Sequence, residues 1–106
     1  MKKYGKLVRD RVPEIIKGSG KLVVWRELRA AEFRLALKAK ALEEAGELVD
    51  ASDDALLAEL ADLSEVIEGI LHAYNLSRED LEKVRKKKNQ ERGGFTRGIF
   101  LESASE

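Results

Sequence analysis

The amino-acid sequence predicts an all-α protein: a bundle of two long antiparallel helices plus a third helix and a short N-terminal helix, completed by oligomerisation. Three observations carry this reading. Apolar residues recur at helical spacing from about residue 27 to residue 50, and again from 56 to about 74, runs far longer than strands. Ser77 and Asp80 have capping-box spacing ahead of a third segment, which the pair Gly93 and Gly94 ends. The single proline, Pro13, sits where its fixed φ suits a first helical turn.

Taken in order, "RDRVPEIIKGSGK" is an arm with one short helix that stops at the Gly18, Ser19, Gly20 run. "KLVVW" follows and is strand-like, but too short and isolated to argue for a sheet. In the first long helix Leu28, Leu35, Leu42 and Val49 recur every seven residues, and Ala31, Ala45 and Leu48 fill the same face, predicting a core helix. Ser52 is placed to cap the next helix, with Asp53 and Asp54 complementing its N-terminal dipole. The tail "GGFTRGIFLE" alternates and carries aromatics, which suits a short extended segment packed on the bundle.

At 106 residues with no internal repeat or long linker, the chain reads as one domain, residues 1–106, with a small core that association would supplement. Lys plus Arg and Asp plus Glu balance at 20 each, so no net field draws in nucleic acid or an anionic membrane. The absence of cysteine excludes disulfides, thiolate metal sites and cysteine nucleophiles. Neither a signal-type apolar region nor a run near the ~18 apolar residues of a span is present, so a cytoplasmic protein without a membrane partner is expected.

In the second long helix Leu56, Leu60, Leu63, Val66, Ile67, Ile70 and Leu71 fall on one arc, and Glu59 projects inside it with Asp62 at its edge. A carboxylate there needs a partner or a proton. The preceding helix offers Glu44 and Glu47 at the same i, i+3 spacing. Packed antiparallel, the helices would converge four carboxylates, and oxygen donors of that kind suit Mg²⁺, with Mn²⁺ as substitute. Glu43 points farther from the arc and is kept as an accessory carboxylate. Two plainer readings stand beside this one: a solvated acidic face, and a buried ion pair of Glu59 with Arg29 or Lys38.

The run "KVRKKKNQER" lacks aromatic interleaving, which argues against a nucleic-acid partner and makes a solvated face the ordinary reading. Within it Lys88 and Arg92 are four apart and share a face that suits a phosphate. Lys6, Arg9 and Arg11 ride on the arm, where Arg9 and Asp10 could simply pair locally. His72 projects from the apolar arc and reads as solvated. Trp25 and Phe33 could stack on a base, but near a helix start they read as core.

Successively, "YGKLVRDRVPEII", "ALEEAGEL", "AELADLSEVI" and "KNQERGGF" resemble the signatures of the MazG-like, phosphoribosyl-ATP pyrophosphohydrolase-like family across nearly the whole chain. The resemblance implies an all-α nucleoside triphosphate pyrophosphohydrolase that cleaves between the α and β phosphates to give a monophosphate and pyrophosphate. It implies Mg²⁺ ligands at Glu44, Glu47, Glu59 and Asp62, with Glu44 or Glu47 orienting or deprotonating the attacking water. It further implies phosphate-facing roles for Lys88 and Arg92, substrate binding by Lys6 and Arg9 of the N-terminal signature, and a homodimer or homotetramer. Phosphoribosyl-ATP hydrolysis is an alternative substrate choice. A helical oligomerisation or regulatory module, its carboxylates only ion-paired, is an alternative of another class.

Overall fold

In the computed structural model, which describes residues 2–106, every regular element is helical and no strand occurs among the described residues. Helix α1 spans Val12–Gly18, α2 Ala30–Asp50, α3 Leu56–Ala73 and α4 Arg78–Arg92, with a 3-10 turn at Asp53–Ala55 leading into α3. Pro13 lies in the first turn of α1, and backbone bonds from Ser19 N–H to the Ile15 and Ile16 carbonyls close its end. Gly20, at φ +87°, supplies the left-handed residue that turns the chain away.

Two boundaries differ from expectation. Helix α2 starts at Ala30 rather than near residue 27, because Arg29 is extended and offers no side-chain cap. Ser52 stands before the 3-10 turn without a side-chain capping bond; its carbonyl accepts from Ala55 N–H instead. The "KLVVW" stretch forms no strand, since an extended segment without a neighbour has no ladder to join.

The chain divides into two compact units, Met1–Leu76 and Ser77–Glu106. In the first, α2 and α3 run antiparallel: Arg34 Nε donates to the Ala73 carbonyl at 3.2 Å near one end, and Glu44 meets Glu59 and Asp62 near the other. Leu37, Val66 and Leu71 are buried between them, each contributing roughly 1.5–3 kcal/mol. Gly69 lets α3 come close, for a Cβ there would lie 3.1 Å from Leu37 Cδ2. Tyr74 closes this end, with the Arg34 guanidinium 5.0 Å and the Lys38 ammonium 5.4 Å from its ring centre.

The seven-residue stripe of α2 is not the core face that its period suggests. Leu35, Leu42 and Val49 are 69%, 77% and 83% exposed, and Ala31 is exposed with them, whereas Leu28, Ala45 and Leu48 are half-buried. The reason is that α2 has two apolar faces. One, through Phe33, Leu37, Ala41 and Leu48, packs on α3; the heptad lies largely on the other. On α3 the arc is buried toward Val66 and Leu71, but Leu56 and Leu60 remain exposed.

In the second unit Ser77 Oγ accepts from Asp80 N–H at 2.9 Å and Asp80 Oδ2 accepts from Ser77 N–H at 3.0 Å, the reciprocal capping box read from the spacing. Gly93, at φ +82°, ends α4 with its N–H on the Asn89 carbonyl at 2.7 Å. Beyond it Phe95, Ile99, Phe100 and Leu101 are exposed, where packed side chains were expected. No helix among the described residues is long and apolar enough to cross a membrane.

Candidate metal centre

Glu44 is the hub of the carboxylates. On the α2 face turned toward α3 it is only 7% exposed, and its neighbours lie one turn along its own helix and across the helix pair. Oxygens of Glu44, Glu59 and Asp62 all lie within 4.8 Å of one another, and so do those of Glu43, Glu44 and Glu47. Of the four carboxylates anticipated from the i, i+3 spacing on consecutive helices, Glu44, Glu59 and Asp62 form one group across the helix pair, and Glu47 joins Glu44 through a second group, with Glu43, on the α2 side.

Two oxygens at the centre lack donors. Glu44 Oε2 and Glu59 Oε2 are buried and have no hydrogen-bond partner among the described residues. Such a group is costly unless a proton or a cation meets it. Burial is the first cause that raises the Glu44 carboxyl above the ordinary glutamate range, and the negative charge of Glu47 is the second. Lys40 opposes the rise, while a hydrogen bond with Glu47 and the charge of Asp62 add to it. Among the described residues Glu59 makes no ion pair. Arg29 is exposed at the head of α2, and Lys38 lies over Tyr74.

Cations surround the centre without filling it. Lys40 Nζ is 3.2 Å from Glu43 Oε1 and 3.5 Å from Glu44 Oε1, its side chain only 16% exposed. Lys6 Nζ reaches Glu43 Oε1 at 3.7 Å. Arg9 Nη2 donates to Asp62 Oδ1 at 2.7 Å. The local Arg9–Asp10 pairing is thus replaced by a bond across the fold, and the arm lies over the carboxylates. Between its Gly5, Lys6 and Leu7 and the α2 side chains Ala36, Lys40 and Glu43 is an open cavity of about 360 Å³.

Lys40 is the residue that sequence reasoning missed. Its signal was present: it precedes Glu43 by three and Glu44 by four, both neighbouring positions on a helix. Glu47 is exposed at the rim, and His72 is exposed as expected. Lys88 and Arg92 belong to the second unit, exposed in the last two turns of α4. Trp25 is 61% exposed rather than core, whereas Phe33 is half-buried.

Among the described residues the grouped ligands are all carboxylates, in two groups of three sharing Glu44. Hard oxygen donors of this kind fit Mg²⁺ or Mn²⁺ rather than a soft ion. The donor-free buried oxygens of Glu44 and Glu59 are the structural sign that such a group fits.

No family model matches the chain. It is similar to an uncharacterized protein of Mycolicibacterium smegmatis (strain ATCC 700084 / mc(2)155), 50% identical over 52 residues, which cover 47% of this chain and 53% of the relative. The chain thus matches about half the length of that relative. No solved structure matches.

Proposed function

We propose that the chain is a Mg²⁺-dependent nucleotide pyrophosphohydrolase, cleaving a nucleoside triphosphate between its α and β phosphates to a monophosphate and pyrophosphate. The observation that carries this reading is Glu44: nearly buried, with a donor-free oxygen, and central to carboxylates from two helices. Glu44, Glu47, Glu59 and Asp62 would hold the ion. When bound, it would supply positive charge to the phosphates and make water a better nucleophile at neutral pH.

The remaining work falls to the chain. Glu47, exposed at the rim, is better placed than buried Glu44 to accept a proton from an attacking water. Lys40 holds Glu43 and Glu44 in place while offsetting their repulsion. Lys88 and Arg92 keep the phosphate-facing role that the family resemblance implies, and their support is their spacing on α4. The exposed stripe of Leu35, Leu42 and Val49 supports a homodimer or homotetramer in which a second copy covers it.

A second reading has its own observation. The pairs Arg9–Asp62, Lys6–Glu43 and Lys40–Glu44 are what a non-catalytic helical module with ion-paired carboxylates would show. Incubation of the purified protein with nucleoside triphosphates and phosphoribosyl-ATP in Mg²⁺, followed by assay of pyrophosphate and monophosphate, separates the two. Turnover that is lost in Glu59→Gln with the fold retained supports the enzyme. No turnover, together with no change in melting temperature on adding Mg²⁺ or Mn²⁺, leaves the module.

A further inference from the structure

We propose that Arg9 is a tethered counter-cation of the candidate metal centre, holding Asp62 until a divalent ion takes that carboxylate, then passing to the ion's phosphate ligand. This rests on the metal-site reading above.

The charge balance comes first. Among the described residues five carboxylates, Glu43, Glu44, Glu47, Glu59 and Asp62, face three cations, Lys6, Arg9 and Lys40, counted with every carboxylate ionised as it is when it binds a metal. The excess is two negative charges, which one divalent ion would neutralise. Any ion drawn to the Glu44, Glu59 and Asp62 oxygens approaches a guanidinium already 2.7 Å from Asp62 Oδ1. Like charges so close repel, so one of them must yield.

The geometry selects Arg9 as the group that yields. Its side chain is 57% exposed and Asp62's is 41% exposed, the setting in which an ion pair is weak and solvent can replace either partner. Lys40 is 16% exposed and tied to two carboxylates, so it stays. Arg9 also sits on a short arm whose far end is secured, its carbonyl accepting from Val12 N–H at 3.0 Å just before α1. The side chain can therefore let go of Asp62 without leaving the neighbourhood. A guanidinium released from a carboxylate has the same forked donors to offer a phosphate, so the exchange needs no new chemistry.

Mn²⁺ titration followed by electron paramagnetic resonance tests the first half, with the wild type, Arg9→Gln and Arg11→Gln compared. Arg11 pairs locally with Glu14, so its variant removes the same charge from the arm without touching the centre. Arg9→Gln is expected to bind Mn²⁺ roughly two- to fivefold more tightly, the range an exposed ion pair is worth, and Arg11→Gln to bind as wild type does. Equal or weaker binding by Arg9→Gln, or equal tightening by both variants, overturns the proposal and leaves the metal site standing. Absence of Mn²⁺ uptake by all three overturns both. Titration of inorganic pyrophosphate into the Mn²⁺-loaded proteins tests the second half. Arg9→Gln should bind it roughly three- to tenfold more weakly, with partial recovery in Arg9→Lys; unchanged affinity rejects the transfer. Circular dichroism of the metal-free variants verifies that each is folded.

Discussion

Leu37 of α2 lies against the backbone of α3 at Gly69, so close that a Cβ at residue 69 would stand 3.1 Å from Leu37 Cδ2. Glu44 is two turns beyond Leu37, and Asp62 two turns before Gly69, so this approach helps set the separation at which the carboxylates face each other. Gly69→Val puts a branched side chain into that gap. It is expected to cost about 1–3 kcal/mol in thermal or denaturant unfolding and to weaken Mn²⁺ binding as well. Unfolding and binding as in the wild type would show that the helices do not need this approach.

A pH dependence follows from Glu44. Its carboxyl is raised above the ordinary glutamate range, chiefly by burial, so the folded state favours the proton more than the unfolded chain does. That contribution is complete below the unfolded glutamate pKa and is lost as pH rises through the higher folded value. The metal-free protein should therefore lose part of its stability as pH rises through that interval. Glu44→Gln, which is neutral at any pH, should flatten the loss and raise the metal-free melting temperature near neutrality. It should also remove the stabilisation that Mg²⁺ gives. Melting curves over a pH series, with and without Mg²⁺, check all three outcomes.

Leu42 tests assembly. It is 77% exposed at the middle of the Leu35–Leu42–Val49 stripe, so Leu42→Glu leaves the α2–α3 core intact and places a charge where a second copy would pack. Sedimentation velocity should show the wild type as a dimer or tetramer and the variant as a monomer with unchanged helix content. A monomeric wild type at tens of micromolar would remove this face from the proposal.

Ser77→Ala removes one half of the capping box that opens α4. The expected cost is about 1 kcal/mol, read as lost hydrogen-exchange protection in the first turn of α4. Asp80, held below the ordinary aspartate range by its bonds with Ser77, makes the intact box acid-sensitive. The protection is present at neutral pH and fades as pH falls through the lowered Asp80 value.

Much of this architecture was legible in the sequence because it is local. Ser77, Asp80 and Gly93 bound α4 through bonds between residues at most four apart, and such spacing reads directly from the chain. The meeting of Glu44 with Glu59 and Asp62 was legible for a related reason: two helices joined by a short connection carry the same spacing, and antiparallel packing brings Glu44 to the other pair, while Glu47 stays on the α2 side with Glu43. The inward face of α2 was not. A seven-residue period identifies an apolar stripe but not what covers it, and here the second apolar face took α3. The Arg9–Asp62 bond was also out of reach, because it joins residues 53 apart whose charges could each have found a nearer partner.

Glu44 belongs to both groups of three oxygens, and it has only two oxygens to share. Were two ions to bind, they would hold this side chain in common, so the rotamer that suits one would set the coordination open to the other. Metal uptake at such a centre would not decompose into independent isotherms, and its stoichiometry would depend on what a phosphate ligand contributes. A single side chain thus makes the number of ions a property of the loaded complex rather than of the protein alone.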